Sequence, residues 1–276
     1  MPAKKVLLCS LDGVRPDAIQ ATSTPTIDRL VAEGACTWKA RTVLPSSTLT
    51  CHTSMLRGVD TPRHGITTNT FHPLVRPVPS LLEVAHRNGL ATGFCYNWEP
   101  LRDVADPESL NLAFLYKHPN YQKNKEDSYL RSEPEQMRIL CSMLESLDLN
   151  LLFLYLGGTD AVGHAYGWMS PEYLESITHA DRCLGMVLDK LATLWNPAET
   201  CTLVLSDHGG HGKTHGTDMA EDMTIPWILH GANVRRGHQI TGPVRIYDTC
   251  VTLAHVLGLP LSEHWEGCVI EEAFLS

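Results

Sequence analysis

The chain has 276 residues, 43% of them hydrophobic and 19% charged, enough apolar material for a substantial core and too little polar bias for a disordered segment. The 31 acidic side chains against 22 basic ones give a formal net charge of −9, which repels a nucleic-acid polyanion and excludes a general DNA or RNA binder. No run reaches the roughly 18 apolar residues of a spanning helix, and the nine cysteines are odd in number with no CxxC pair, so free thiols and a soluble cytoplasmic protein with no membrane partner are expected.

In chain order, Lys4 and Lys5 precede an apolar run over residues 6–11. It is too short for a signal-peptide core, ends at Asp12 and predicts the first β-strand. Helical periodicity follows over 26–33, opened by Thr24-Pro25 and closed by Gly34. It returns over 48–56, after the hydroxyl-rich run Leu44-Pro45-Ser46-Ser47-Thr48, and again over 80–87. A strand is predicted over 90–96. Residues 97–127, rich in Pro, Asn, Lys and Tyr, read as a long connection covering one edge of a pocket. A helix over 133–147, a strand over 149–156, a long helix over 171–194 opened by Ser170-Pro171, strands over 202–205 and 225–229, and a helix over 247–257 complete the pattern. Short buried strands alternating with helices predict an α/β fold, one domain over 1–276 with helices on both faces of its sheet.

The strand ends carry the chemistry. Asp12, Asp160 and Asp207 each follow a predicted strand, and in open α/β sheets sites form in the crevice beyond those ends. After Asp207 the run to Gly216 holds His208, His211 and His215 between glycines, a crowding of titratable groups that a cation would relieve. Asp160 and His164 are four apart and face one side of a helical turn. With His215 they supply one O and two N donors to a zinc with an open position; Asp12, Asp207 and His208 supply a second zinc in the same way. The competing reading, in which each aspartate caps a helix and each histidine is a satisfied core partner, accounts for any one of these residues but poorly for the set. The run 45–53 leads into a helix, whose start presents N–H groups and a positive dipole end to an anion or alkoxide; taken alone, it reads as an ordinary Ser/Thr N-cap.

Leu11-Asp12-Gly13-Val14-Arg15-Pro16-Asp17, then Thr24-Pro25-Thr26-Ile27-Asp28-Arg29-Leu30, residues 45–52, His64-Gly65-Ile66-Thr67-Thr68-Asn69, Asp160 with His164, and Asp207-His208-Gly209 together resemble the type I phosphodiesterase/nucleotide pyrophosphatase branch of the alkaline phosphatase superfamily. The likeness runs from residue 7 to about residue 230. It implies an alkaline-phosphatase-like three-layer sandwich with a mixed, mostly parallel sheet. It also implies a hydrolase that cleaves phosphodiester or phosphoanhydride bonds with two Zn2+ per chain, acting on a small-molecule phosphate or phosphonate ester. Thr48, third after Pro45, would be the nucleophile, forming a phospho-threonine, and a ligand of the zinc held by Asp12, Asp207 and His208. Asp160, His164 and His215 would hold the other zinc, and Asn69 would donate to a phosphoryl oxygen.

His215-Gly216-Thr217-Asp218 resembles the family's His-Gly-x-Asp run, drawn close to Asp207-His208 by a shortened intervening segment, with His211 as the alternative last ligand. Thr50 and Cys51 stand where the family carries Pro and Asn, which changes the pocket floor without removing an assigned group. No arginine adjoins Thr48, which favours a diester or phosphonate ester over a monoester dianion. The sulfatase pattern of Cys or Ser followed by x-Pro-x-Arg is missing at Ser46, Ser47 and Cys51. Two other readings remain: a phosphonate-cleaving hydrolase of the same superfamily, and a catalytically inactive, metal-stabilised binding protein.

Overall fold

The first apolar run becomes the centre of the sheet. β1 (Lys5–Leu11) pairs in parallel on both sides, Val6 standing beside Leu151 of β5 (Leu151–Leu156) and beside Cys201 of β6 (Thr200–Leu205). A strand with neighbours on both edges has its backbone groups satisfied, so its side chains can be apolar on both faces. Val6 and Leu8 join Leu151, Phe153, Leu203 and Leu205 in one core, while Leu7, Cys9 and Leu11 join Leu152, Leu154 and Val204 in the other. The helices Thr48–Arg57, Leu81–Arg87 and Asp248–Val256 cover the first core with Leu49, Leu81 and Leu253. Pro25–Glu33, Lys125–Leu144 and Pro171–Leu194 cover the second with Ile27, Met137 and Ile177.

This computed structural model describes residues 3–74, 76–117 and 124–275. Among them the sheet is completed by β2 (Ala35–Arg41), β3 (Thr92–Tyr96), β4 (Leu112–Leu115), β7 (Thr224–Gly231) and β8 (His238–Gln239), in the order β4-β3-β5-β1-β6-β7-β2-β8. Only β7 runs antiparallel to its neighbours. The architecture is the expected three-layer α/β sandwich with a mixed, mostly parallel sheet. Among the described residues, no helix is long and apolar enough to cross a membrane.

Three strands escape the sequence pattern for physical reasons. β2 is broken by Lys39 and Arg41 and kinked by a register shift between Thr37 and Ala40; β4 has four residues and β8 two, too few for any period to show. The segment 97–127 is correspondingly less irregular than expected: it contains short 3₁₀ turns at Glu99–Val104 and Pro107–Ser109 and the edge strand β4, and its remainder at 118–123 lies outside the described residues. The helix expected over 133–147 starts earlier, at Lys125, because the Asn124 side chain accepts from Asp127 N at 2.9 Å and caps it. Pro134 lies within it, at the loss of one backbone hydrogen bond.

The helix Pro25–Glu33 has no cap of its own: Asp181, on the long helix Pro171–Leu194, accepts from Thr26 N at 3.1 Å and Ile27 N at 2.8 Å. The adjacency β5-β1-β6 matters most for function. It brings the carboxyl ends of the three strands that precede Asp160, Asp12 and Asp207 side by side.

Candidate active site

Asp12 follows β1 directly and is fully buried. The next residue, Gly13, has φ +69°, and a Cβ there would lie 3.2 Å from Cα and Cβ of Asp160, so only glycine lets the β1 and β5 ends approach this closely. Asp207, after β6, accepts from Gly13 N through Oδ1 at 3.1 Å. Asp160 is the third residue of the helix Gly158–Tyr166, and His164 lies one turn further on, as their spacing required.

The histidines settle their own tautomers. Nδ1 of His208 faces the Gly209 carbonyl at 2.8 Å, Nδ1 of His215 the Ser46 carbonyl at 2.7 Å and Nδ1 of His164 the Lys213 carbonyl at 2.9 Å. A carbonyl only accepts, so each Nδ1 carries the proton and each Nε2 presents a lone pair. Such an outer hydrogen bond is how metal-binding histidines are oriented.

Those lone pairs meet carboxylates. Nε2 of His208 lies 3.3 Å from Asp12 Oδ1 and 3.3 Å from Asp207 Oδ2, while Nε2 of His164 and of His215 lie 3.4 and 3.5 Å from Asp160 Oδ1. These carboxylate oxygens, Asp12 Oδ1, Asp207 Oδ2 and Asp160 Oδ1, are buried without a hydrogen-bond partner. Lone pairs turned toward unpartnered carboxylate oxygens repel unless a cation stands between them. The separations also suit one: donors about 2.0–2.1 Å from a tetrahedral zinc stand about 3.3–3.4 Å apart. The residues therefore fit divalent metal ions, in two groups, Asp12 with Asp207 and His208, and Asp160 with His164 and His215. The groups share a wall, since the rings of His208 and His215 stack at 3.8 Å between centroids.

Thr48 is the first residue of its helix, and its Oγ1 stands 3.3 Å from Nε2 of His208. Ser47, the N-cap residue, makes no side-chain cap bond, so the ordinary-cap reading of this run is not what the structure shows. Asn69 Oδ1 accepts from Leu49 N at 3.0 Å, which turns its amide nitrogen away from the helix start. Both line a pocket of about 420 Å³ with Asp12, Asp160, His164 and His215.

His211 stands apart from these groups: its Nδ1 pairs with Asp222 Oδ1 at 2.7 Å. At the substituted family positions, the Thr50 hydroxyl is buried without a partner and Cys51 Sγ receives the Thr42 hydroxyl at 3.1 Å.

Three contributors escaped the sequence reading. Tyr155 of β5 donates its hydroxyl to Asp12 Oδ2 and fixes which oxygen of that carboxylate faces His208. His52 donates from Nδ1 to the Thr48 carbonyl at 2.7 Å and accepts from the Ser10 hydroxyl at Nε2, 2.9 Å away, locking the first turn of the Thr48 helix. Trp168 donates from Nε1 to the Gly13 carbonyl at 2.8 Å and packs edge-on against His164, in space a Cβ on Gly210 would invade. The one signal for Tyr155 was a polar-tipped aromatic near the end of an otherwise aliphatic strand.

Burial dominates the electrostatics. It pushes Asp207 up to about 7, with the charge of Asp160 adding to the shift, and raises Asp12 well above the usual carboxylate range with help from Asp207 and Asp160. Burial, then the neighbouring His215, holds His208 well below its ordinary value. Above about pH 6.5 His208, held low by burial, carries no proton, whereas Asp207 still retains part of a proton in the fold that an unfolded carboxyl has lost. The folded state then binds more protons, so its stability falls as pH rises. Metal-free protein is expected to lose Tm between about pH 6.5 and 8, and a saturating divalent cation to reduce that slope. A flat or rising Tm in a chelated sample would contradict the assignment of these carboxyls.

The sandwich and the strand-end site define the class: an α/β protein of alkaline-phosphatase-like architecture. The chain belongs to the type I phosphodiesterase/nucleotide pyrophosphatase family, whose model matches residues 6–223. It is 27% identical over 222 residues to human ectonucleotide pyrophosphatase/phosphodiesterase family member 7, a match covering 74% of this chain and 47% of that protein, so the chain spans about half the length of this relative. Among solved structures, an inactive threonine-to-alanine variant of murine ectonucleotide pyrophosphatase/phosphodiesterase 5 in complex with AMP superposes with a TM-score of 0.73 at 19% identity, covering 95% of this chain and 96% of that one. The phosphonate monoester hydrolase of Agrobacterium radiobacter superposes with a TM-score of 0.72 at 16% identity, covering 98% and 76%. At these identities the superpositions speak for the fold alone.

Proposed function

We propose that the protein hydrolyses phosphodiester or phosphoanhydride bonds, with Thr48 as nucleophile and two divalent metal ions as cofactors, zinc by the character of the donors. The observation that carries this reading is the convergence of Thr48 Oγ1 with the ligand atoms of Asp12, Asp207 and His208, beside a second ligand group, in one pocket. Bound divalent cations supply positive charge that lowers the pKa of a hydroxyl and stabilises phosphoryl oxygens.

The chain's own residues do the rest. Helix geometry and the His52 hydrogen bonds hold Thr48 in place, at the positive end of its helix dipole. Thr48 Oγ1 gives up its proton to solvent and attacks phosphorus in line, forming an O–P bond as the bond to the leaving oxygen breaks, and the leaving oxygen takes a proton from solvent. The Asn69 amide donates to a phosphoryl oxygen as charge builds there. Water then attacks the phospho-threonine from the vacated side, breaks the Oγ1–P bond and returns a proton to Thr48.

Charge selects the ester. Before Thr48 ionises, two divalent ions against Asp12, Asp160 and Asp207 leave one net positive charge, which draws in a phosphate anion. The described residues lining the pocket include no Lys or Arg to neutralise the second charge of a monoester, while Glu126 opposes it. Trp98 and Tyr129 line the same pocket and suit a flat leaving group such as a nucleoside.

The test is a comparison of nitrophenyl phosphate, a nitrophenyl nucleotide diester, a nitrophenyl phosphonate and a nitrophenyl sulfate on zinc-loaded protein. The nucleotide diester is expected to give the highest kcat/KM. A higher value on the phosphonate would transfer the assignment to that chemistry. Turnover of none of the four would leave a metal-stabilised binding protein.

A further inference from the structure

The helix Lys125–Leu144 carries a buried carboxylate that neither strand-end ligand group uses. Glu133 Oε1 accepts from Gly158 N at 2.8 Å and from Asn97 Nδ2 at 3.1 Å. Its Oε2 is buried with no hydrogen-bond partner and lies 3.7 Å from His179 Nε2. That same nitrogen lies 3.7 Å from Cys183 Sγ. His179 and Cys183 are four apart on the helix Pro171–Leu194 and therefore face one way, toward the helix that bears Glu133. The three donor atoms lie within 4.8 Å of one another.

A separation of 3.7 Å is too long for an N–H to carboxylate hydrogen bond. It stands a few tenths of an ångström outside the edges of a zinc tetrahedron, about 3.3–3.4 Å between nitrogen and oxygen and about 3.5–3.6 Å between nitrogen and sulfur, so a small closure of the side chains seats the ion. One O, one N and one S donor is a set that zinc accepts, and calcium and magnesium, which want oxygen, do not. His179 also lines a recess of about 240 Å³ with Glu126, Asp127, Glu172, Glu175 and Arg182, whose balance of charge is negative and draws cations to this side of the group.

We infer that Glu133, His179 and Cys183 form a further zinc site, separate from the two ligand groups at the strand ends. Binding takes the proton from the Cys183 thiol and releases it to solvent, and it closes Glu133 Oε2 onto the metal. The ion joins the helices Lys125–Leu144 and Pro171–Leu194. Through Glu133 Oε1 it also braces Gly158, the first residue of the helix that carries Asp160 and His164. Its role is structural, tying the placement of those two residues to the packing of the helices behind them.

Cobalt(II) separates this site from the others, because neither strand-end group contains a sulfur donor. Protein stripped of metal and titrated with cobalt(II) is expected to develop a thiolate-to-cobalt charge-transfer band in the near ultraviolet whose final intensity, with all groups filled, corresponds to one thiolate-bound cobalt per chain. Cys183→Ser and His179→Ala are each expected to abolish or sharply weaken that band and to lose one equivalent of bound metal, while keeping the visible cobalt bands of the strand-end groups and the wild-type circular dichroism. Absence of the charge-transfer band from the wild-type protein at saturating cobalt would overturn the site, as would its persistence in Cys183→Ser. Should Cys183→Ser misfold, X-ray absorption of the zinc-loaded wild-type protein decides: a sulfur scatterer at about 2.3 Å from zinc is expected, and a spectrum with nitrogen and oxygen neighbours alone would refute the proposal. None of these readouts depends on turnover, so failure of the hydrolase reading and failure of this site are distinguishable.

Discussion

Thr48→Ala is expected to keep the fold and the bound metal and to lose turnover by on the order of 10³–10⁶-fold. The hydroxyl has one polar contact, to His208 Nε2 at 3.3 Å, and sits on the first residue of a helix whose next backbone N–H is held by Asn69. Alanine is a better helix former than threonine, and the lost hydrogen bond is worth roughly 1 kcal/mol, so stability should change little. The measurement is kcat on a nitrophenyl nucleotide diester beside metal analysis of the same preparation. Near wild-type turnover with both metals present would remove Thr48 as the nucleophile. A variant that lost metal as well would instead make Thr48 indispensable as a ligand. Thr48→Ser retains the oxygen and should retain part of the activity.

The second large effect separates two histidines four residues apart. His215→Ala removes the Nε2 that faces Asp160 Oδ1 at 3.5 Å and the ring stacked on His208. It should lose one metal ion per chain and at least about 100-fold in turnover, since direct ligands matter at least as much as the outer partners that cost 10–100-fold. His211→Ala removes only a pairing with Asp222, which continues to accept from Thr217 N at 2.9 Å and from the Thr217 hydroxyl at 2.7 Å. It should keep its metal content and lose roughly 1–3 kcal/mol of stability from the half-buried end of that network. Metal analysis and thermal unfolding of the two variants side by side check this. Equal, mild losses in both would mean that neither histidine is a ligand.

The contrast between these two residues shows how far the sequence reaches. Both follow Asp207 in one glycine-rich run, and spacing alone left His211 as an alternative. The structure separates them because the chain turns between them: His211 and Thr214 form a small two-residue bridge. That turn carries His215 to the Ser46 carbonyl and leaves His211 beside Asp222. Which way a ring faces depends on a partner from a distant part of the chain, and no local pattern encodes that partner.

The strand-end aspartates were legible for the opposite reason. A buried strand announces itself by an apolar run and its end by the first polar residue, so Asp12 and Asp207 are marked locally, as is the Asp160–His164 pair by helical spacing. The same logic found six helices, with ends displaced where a cap lay outside the periodic run, as with Asn124. It missed β2, β4 and β8, whose pairing depends on neighbours rather than on their own short or charged sequences.

By itself, then, the sequence determined the fold class, the family and the residue types available for metal and nucleophile chemistry, because motif order and hydrophobic period are local properties of the chain. Only the tertiary structure decided the rest: the β5-β1-β6 adjacency that brings three strand ends together, the carbonyls of Ser46, Lys213 and Gly209 that turn three Nε2 atoms inward, the Tyr155 hydroxyl on Asp12, and the grouping of Glu133 with His179 and Cys183. Most of these are contacts between residues remote in the chain. Burial makes them matter, since a polar atom removed from water must find a partner wherever the fold provides one.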